Sequence, residues 1–205
     1  MLRYAITSRI LFPGDDSQQK TALLHQCARW ASDGVDFIQL REKDLLARDL
    51  TALARAILGV IPASSKTRLL INSRADIALA TLAQGVHLTA APGELTPSQI
   101  RTLFAATCNP APLITVSCHT LAEVEQARHH QADAILFAPI FGKFIAGKLI
   151  IPGLGLDQLR AAATTSSPIP IYALGGVTLE NAPSCLAAGA AGIAGIRLFH
   201  TFAAK

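Results

Sequence analysis

The stretch Val35-Asp36-Phe37-Ile38-Gln39-Leu40-Arg41-Glu42-Lys43-Asp44 passes from an apolar run into a cluster of charges. The run predicts a buried strand over Val35–Arg41. Because side chains alternate across a strand, Gln39, Arg41 and Lys43 should share one face and the intervening residues, including Glu42, the other. Two cations and an amide at a strand's carboxyl end are costly to bury without a partner. The pattern therefore indicates a phosphorylated polar ligand, with a solvated strand end as the alternative.

Short apolar strands alternate with amphipathic segments along the rest of the chain, which is typical of parallel βα units. The predicted strands are Arg3–Thr7, Val35–Arg41, Arg68–Asn72, Gly85–His87, Leu113–Ser117, Ala134–Ala138, Ile169–Ala173 and Gly192–Gly195. The predicted helices lie near Ser17–Ser32, Leu46–Gly59, Arg74–Leu82, Pro97–Ala106, Leu121–His130, Leu156–Ala163, Leu179–Ala188 and Arg197–Ala203. Eight such units in 205 residues predict a single α/β domain over 1–205, a (β/α)8 TIM barrel with parallel strands. An open doubly wound sheet is the alternative.

Hydroxyl residues mark several of the predicted helix starts. Thr96-Pro97-Ser98-Gln99 places a hydroxyl at N-cap, Pro at N1 and an amide at N3, and Thr120-Leu121-Ala122-Glu123 is a capping box. Ser73-Arg74-Ala75-Asp76 is a weaker version of the pattern, and Thr178 supplies a further hydroxyl cap. These residues are thus assigned a structural role.

Composition excludes several classes of function. With aromatic residues at 5% and a net charge of +4, the chain suits anionic metabolites and not nucleic acid. No apolar stretch approaches the roughly 18 residues that span a bilayer, and no signal-peptide pattern precedes the first strand. The cysteines Cys27, Cys108, Cys118 and Cys185 are widely spaced. We expect buried thiols at Cys27 and Cys185, and a reducing, cytoplasmic location.

Polar residues and glycines gather where the predicted strands end, which is where a (β/α)8 barrel carries its active site. The candidate binding residues are Gln39, Arg41, Lys43, Asn72, His87, Ser117, His119, Lys143, Lys148, Gly175, Gly176, Ile196 and Arg197. Gly175-Gly176 and Gly195-Ile196-Arg197 would bring backbone N–H groups close to a phosphate, with the dipole of the helix predicted from Arg197 adding attraction. A tight βα turn is the alternative for Gly175-Gly176.

The histidines leave two roles open. His87, at a strand end, faces either a ligand or the core, and His119, beside a helix cap, suits hydrogen bonding as well as catalysis. No zinc-ligand spacing, Walker P-loop or G-x-S-x-G elbow occurs.

Six fragments carry a resemblance to the thiamine-phosphate synthase/TenI family over almost the whole chain, from Arg3 to Phe199. In chain order they are Gln39-Leu40-Arg41-Glu42-Lys43, Ile71-Asn72-Ser73-Arg74, Gly85-Val86-His87-Leu88, Ser117-Cys118-His119-Thr120, Pro139-Ile140-Phe141 and Ala173-Leu174-Gly175-Gly176-Val177. The resemblance implies a (β/α)8 barrel that couples an aminopyrimidine methyl diphosphate to a thiazole phosphate and releases diphosphate.

The same resemblance implies roles for individual residues. The pyrimidine and its diphosphate would be held by Gln39, Arg41 and Lys43, and Asn72 and Ser117 would complete that pocket. Three of these residues would act on the reacting groups: Arg41, Lys43 and Ser117. The thiazole phosphate would lie against Gly175, Gly176, Ile196 and Arg197. The implied partners are thus two small phosphorylated heterocycles, and a homo-oligomer is a further expectation.

The chain departs from the family pattern at its metal site. The family's synthases bind Mg2+ through an aspartate where this chain has Ser73 and a second in the loop that here reads Thr89-Ala90-Ala91-Pro92-Gly93-Glu94. Ser73 and Pro92 thus replace the usual ligands, and Glu94 is the available substitute carboxylate. Lys143 or Lys148 would replace the charge of the family's threonine- and lysine-bearing phosphate loop.

These departures leave three functions open. The first is a thiamine-phosphate synthase with an altered diphosphate site. The second is a TenI-like thiazole phosphate tautomerase, which needs no magnesium and would use His119 or His87 as its proton carrier. The third is a non-catalytic protein that binds thiazole or thiamine phosphates.

Overall fold

Eight parallel strands close into a barrel in the computed structural model, which describes residues 1–89, 91–107, 109–145 and 148–200. In chain order the strands are β1 Leu2–Ile6, β2 Phe37–Leu40, β3 Arg68–Asn72, β4 Gly85–Leu88, β5 Leu113–Cys118, β6 Ala134–Phe137, β7 Lys143–Ile145, β8 Lys148–Ile151, β9 Ile171–Ala173 and β10 Gly192–Gly195. All except β7 and β8 belong to the barrel, which β1 closes by pairing with β2 and β10. The predicted (β/α)8 barrel is confirmed.

Seven α-helices surround the barrel in the described part of the chain. They are α1 Asp16–Ser32, α2 Ala47–Val60, α3 Ala75–Thr81, α4 Pro97–Ala106, α5 Leu121–His129, α6 Gly155–Ser166 and α7 Ala182–Ala187, with one 3-10 turn at Arg9–Leu11. Each helix begins and ends within about three residues of its predicted bounds. The predicted strands Val35–Arg41 and Ile169–Ala173 each begin two residues before the observed strand. None of the helices described is long and apolar enough to cross a membrane.

The predicted strict alternation is wrong at two places. Between β6 and α6 the chain forms an antiparallel hairpin of β7 and β8 that the strand pattern did not predict. After β10, residues 197–200 form a turn instead of the start of the predicted helix Arg197–Ala203, and residues 201–205 lie outside the described range. The His200 N–H closes the turn by donating to the Arg197 carbonyl at 3.2 Å, and the Trp30 indole N–H donates to the carbonyl of Phe199 within it at 2.8 Å.

The helix caps follow the sequence signals in two cases out of four. Thr96 and Thr120 each cap their helix as predicted, and both form a capping box, with Gln99 and Glu123. Ser73 does not cap α3: it has φ +56°, and Arg74 is the residue that precedes the helix without a side-chain cap. Thr178 accepts a hydrogen bond from the Asn181 N–H, but in a turn ahead of α7.

Strand alternation divides the core into a barrel interior and a shell under the helices. Tyr4, Leu70, Leu136 and Tyr172 fill the interior, whereas outward residues such as Ile38 pack with the helices. Nearer the carboxyl ends of β2 to β5, interior positions such as Gln39, Asn72 and Ser117 are polar and line a cavity at that end of the barrel.

The cysteines of the described chain are buried free thiols. Cys27, Cys118 and Cys185 are all buried, so the prediction for Cys27 and Cys185 is confirmed. Cys108 lies outside the described residues.

Candidate functional site

A cavity of about 260 Å³ opens at the carboxyl ends of the barrel strands. Its lining comprises Ile6, Gln39, Arg41, Asn72, His87, Thr89, Ser117, His119, Leu136, Leu174 and Ile196. Because alternate residues of a strand face the barrel interior, polar residues at the strand ends of β2 to β5 converge there. The fold thus brings together seven of the predicted binding residues: Gln39, Arg41, Asn72, His87, Ser117, His119 and Ile196.

The Gln39 side chain presents an unused hydrogen-bond acceptor to this cavity. Its Nε2 donates to Asn72 Oδ1 at 2.8 Å, and Asn72 Nδ2 donates to Ser73 Oγ at 3.1 Å. Gln39 is only 1% exposed, yet its Oε1 accepts no hydrogen bond from the described residues. A buried acceptor without a donor costs about 1–3 kcal/mol. A ligand with an N–H group would supply the missing donor.

Arg41 brings a positive charge to the same cavity. Its backbone N–H donates to Thr7 Oγ1 at 2.9 Å, which fixes the chain where β2 ends. Arg41 lines the cavity, and no carboxylate of the described chain pairs with its guanidinium. Lys43, two residues on, is exposed and is not part of the lining.

A buried ion-pair network behind Arg41 holds this strand end in place. Thr7 Oγ1 donates to Glu42 Oε1 at 2.7 Å, and Arg9 donates to Glu42 from its backbone N–H and, at 3.1 Å, from Nη1. Arg9 also pairs with Asp16 and Asp44. The alternation in residues 39–43 correctly placed Glu42 on the face opposite Arg41. Sequence reasoning missed Arg9, because no motif marked its loop.

His87 is both a core residue and a cavity residue. Its Nδ1 lies 2.8 Å from Thr115 Oγ1, and its Nε2 lies 3.0 Å from Ser117 Oγ. Burial, with a smaller contribution from the charge of Arg41, lowers the pKa of His87 to about 3. The ring is therefore neutral at physiological pH.

His119 lies at the mouth of the cavity with a fixed proton position. Its Nδ1 is 2.7 Å from the carbonyl oxygen of Ala138. Because a carbonyl only accepts, Nδ1 carries the proton and donates. In the neutral ring, Nε2 then has a free lone pair.

Glu94 occupies the region where the family's metal-binding carboxylates are expected. Its Oε2 accepts hydrogen bonds from the Thr89 N–H at 2.9 Å, from the Thr89 hydroxyl, and from the Ser73 hydroxyl at 3.3 Å. Oε1 accepts none from the described residues. Pro92 is exposed in the same loop. The described residues contain no group of three histidine, cysteine or carboxylate side chains that could hold a metal by themselves.

Close packing explains the glycine pair after β9. Gly175 has φ +92°, and a Cβ added there would lie 2.7 Å from Pro139 Cα. Gly176 has φ +65°, and a Cβ added there would lie 2.7 Å from Phe141 Cβ. The turn interpretation therefore holds. The N–H groups of Gly175 and Gly176 nevertheless donate to no described acceptor, which leaves them available to an anion.

The remaining predicted phosphate residues are Arg197, Lys143 and Lys148. Arg197 is exposed, beyond the cavity residue Ile196. The helix dipole predicted at Arg197 is not found over residues 197–200, which form a turn. Lys143 and Lys148 belong to β7 and β8 by their backbone, but their side chains lie outside the described residues.

Comparison with known proteins identifies relatives over almost the whole chain. The model of the family described as thiamine monophosphate synthase matches residues 4–199. A Geobacter sulfurreducens protein, provisionally named a thiamine-phosphate synthase, is 44% identical over 166 residues, covering 78% of this chain and 71% of that protein. A thiamine-phosphate synthase of Methanospirillum hungatei is 38% identical over 197 residues, covering 93% of this chain and 85% of its own.

A solved structure shares the architecture as well. Thiamine phosphate pyrophosphorylase from Pyrococcus furiosus superimposes with a TM-score of 0.75 at 26% identity, over 96% of this chain and 85% of that one. The family match, the identity with these relatives and the shared barrel agree. The chain belongs to the thiamine monophosphate synthase family.

Proposed function

We propose that residues 1–205 form one catalytic barrel domain that synthesises thiamine phosphate. The reaction joins an aminopyrimidine methyl diphosphate to a thiazole phosphate: the thiazole nitrogen bonds to the methylene carbon as the carbon–oxygen bond breaks and diphosphate leaves. One observation carries the proposal. Gln39, with its buried and unused acceptor Oε1, and Arg41, whose guanidinium has no partner among the described carboxylates, line the same cavity.

These two groups are complementary to opposite ends of the pyrimidine substrate. Gln39 Oε1 would accept a hydrogen bond from the exocyclic amine, and Asn72 holds the Gln39 amide in that orientation. Arg41 would stabilise the diphosphate, on which negative charge grows as the carbon–oxygen bond breaks. Ser117 would add a hydroxyl to the same pocket, and the exposed Lys43 a further cation at its rim.

We place the thiazole phosphate at the Gly175-Gly176 loop, which follows the cavity residue Leu174. The unused N–H groups of Gly175 and Gly176 would bind the phosphate oxygens, as glycine-rich loops do in other barrels. Ile196 lines the cavity and would contact the thiazole, and Arg197 would contribute charge. Lys143 and Lys148 stay predictions for the same phosphate.

The residues fit magnesium only as an ion that is shared with the substrate. Mg2+ is commonly bound by one or two carboxylates together with substrate phosphates and water. Glu94 offers a single carboxylate, whose Oε1 is unused, beside the Ser73 hydroxyl. We therefore assign Glu94 as the ligand from the protein. When bound, the ion would neutralise the charge that develops on the departing diphosphate.

The assignment of Glu94 is tested by measuring thiamine phosphate formation against magnesium concentration. We expect magnesium-dependent product from the wild type. Glu94→Ala should raise the half-saturating magnesium concentration at least about tenfold, since even changes to groups behind a metal ligand cost about 10–100-fold in affinity. The matched control, Glu180→Ala, removes an exposed carboxylate after β9 and should leave it unchanged. Equal magnesium dependence in all three proteins would contradict the role of Glu94.

A specific observation supports thiazole phosphate tautomerase as the second candidate. His119 Nε2 carries a free lone pair at the cavity, since Nδ1 is committed to Ala138, and such a base could move a proton on the thiazole. Tautomerisation without any coupling, abolished in His119→Asn, would favour this function. Tight binding of thiazole phosphate with neither reaction would instead identify a non-catalytic binder.

A further inference from the structure

A chain of four hydrogen-bonded side chains runs from the middle of the barrel to the cavity. Tyr4 Oη lies 3.0 Å from Thr115 Oγ1, which lies 2.8 Å from His87 Nδ1, and His87 Nε2 lies 3.0 Å from Ser117 Oγ. Tyr4, Thr115 and His87 are at most 2% exposed. Of these four side chains, only Ser117 brings a hydroxyl to the cavity lining, where it is free to turn toward a ligand.

Counting protons along this chain decides the tautomer of His87. Neutral His87 carries one ring proton, and the Tyr4 and Thr115 hydroxyls carry one each. If Nδ1 held the ring proton, it would donate to Thr115 Oγ1. The Tyr4 or the Thr115 proton would then have no acceptor, because neither hydroxyl has another partner among the described residues.

The other tautomer satisfies every proton. Thr115 donates to Nδ1 and Tyr4 donates to Thr115, or Thr115 donates to Tyr4 and Tyr4 donates to Nδ1 across 3.4 Å. Both arrangements place the ring proton on Nε2, which then donates to Ser117 Oγ. Ser117 therefore receives a hydrogen bond from inside the barrel, and its own proton is directed to the cavity.

We propose that Tyr4 and Thr115 are positioning residues that hold His87 as its Nε2–H tautomer and thereby make Ser117 a hydrogen-bond donor to the bound ligand. Buried donors and acceptors are rarely left unpaired, which is what gives the tautomer its preference. The ligand atom must be an acceptor. The assignment of that acceptor as an oxygen of the departing diphosphate rests on the proposed function, whereas the tautomer does not.

The tautomer is tested in the ligand-free protein by 15N NMR of the imidazole rings, with His87→Asn used to assign the His87 signals. We expect the pattern of an Nε2–H ring in the wild type and in Thr115→Ser, which keeps the hydroxyl. The double variant Tyr4→Phe/Thr115→Val removes both donors to Nδ1 while keeping shape, and should show a mixture. An Nδ1–H ring in the wild type, or an unchanged Nε2–H ring in the double variant, would overturn the proposal. If the double variant does not fold, the wild-type spectrum alone decides.

Calorimetry with inorganic diphosphate tests the ligand side. Ser117→Ala should weaken binding about tenfold in the wild-type background, because a donor to a charged acceptor is lost. In the Tyr4→Phe/Thr115→Val background the same change should cost less than about threefold, since the Ser117 proton is no longer directed. Equal losses in both backgrounds would overturn the positioning role. Absence of diphosphate binding to the wild type would contradict the proposed function and the ligand assignment, while the NMR result would still decide the tautomer.

Discussion

Replacing Glu42 with alanine should lower the free energy of unfolding by about 3 kcal/mol. The Glu42 carboxylate accepts hydrogen bonds from the Thr7 hydroxyl at 2.7 Å, from the Arg9 backbone at 3.1 and 3.2 Å, and from Arg9 Nη1 at 3.1 Å. Its side chain is 3% exposed and that of Arg9 is 7% exposed. The substitution therefore removes the buried partner of the Arg9 cation and the acceptor of the Thr7 hydroxyl.

The magnitude follows from what remains around Arg9. Removing one partner of a buried pair costs about 3–5 kcal/mol. Asp44 and Asp16 still pair with Arg9, but their side chains are 62% and 55% exposed, so they compensate only in part. The lower end of the range is the expected loss. Thr7 also loses its acceptor, so the Arg41 backbone that it binds should become less ordered.

Urea denaturation measures the effect, provided that the slope of unfolding free energy against urea concentration is unchanged between variants. The matched control is Asp157→Ala, which breaks an exposed pair with Arg160 and should leave the midpoint unchanged. A loss below about 1 kcal/mol in Glu42→Ala would refute the reasoning, because it would mean that the network contributes no more than a surface pair.

Three further predictions concern stability. Because burial lowers the pKa of His87 to about 3, the unfolded chain binds one more proton than the folded protein between pH 6.5 and pH 3. The free energy of unfolding of the wild type should therefore fall by about 2 kcal/mol from pH 7 to pH 5 through this group. A pH series of urea titrations on His87→Asn should lack that component. Gly176→Ala should lower the thermal midpoint, since the residue has φ +65° and no room beside Phe141, whereas Gly59→Ala, in α2 with nothing within 4 Å, should raise it; equal shifts would contradict the packing explanation. Thr120→Ala should cost about 1 kcal/mol in the same assay through loss of the cap on α5, and no change would remove that role.

The sequence predicts the architecture well because hydrophobic periodicity and capping are local. Residues 97–106 form the predicted helix without a shift, since Thr96 and Pro97 define its start. Alternation along β2 likewise predicts that Gln39 faces the interior and Glu42 lies on the opposite side. These features depend on spacing within a few residues and not on the rest of the fold.

Other features depend on contacts between distant residues and so escape a reading of local patterns. The turn at residues 197–200 contacts Trp30 through the Phe199 carbonyl, and the partner of Glu42 is Arg9 on another loop. Ser73 resembles a cap but instead donates to Glu94, 21 residues away. The chain of hydrogen bonds through His87 joins three barrel strands. Localisation and oligomeric state stay predictions.

The most direct measurement is the coupling reaction itself, followed as thiamine phosphate formed from the pyrimidine diphosphate and thiazole phosphate by purified wild type, Arg41→Ala and Arg48→Ala. Arg48 is a neighbouring cation whose side chain is 89% exposed. We predict product from the wild type and from Arg48→Ala at similar kcat/KM, and a loss of more than about tenfold in Arg41→Ala, since a charge-assisted contact to the leaving diphosphate is removed. Absence of product from the wild type would contradict the synthase, and an equal kcat/KM in Arg41→Ala would contradict the site.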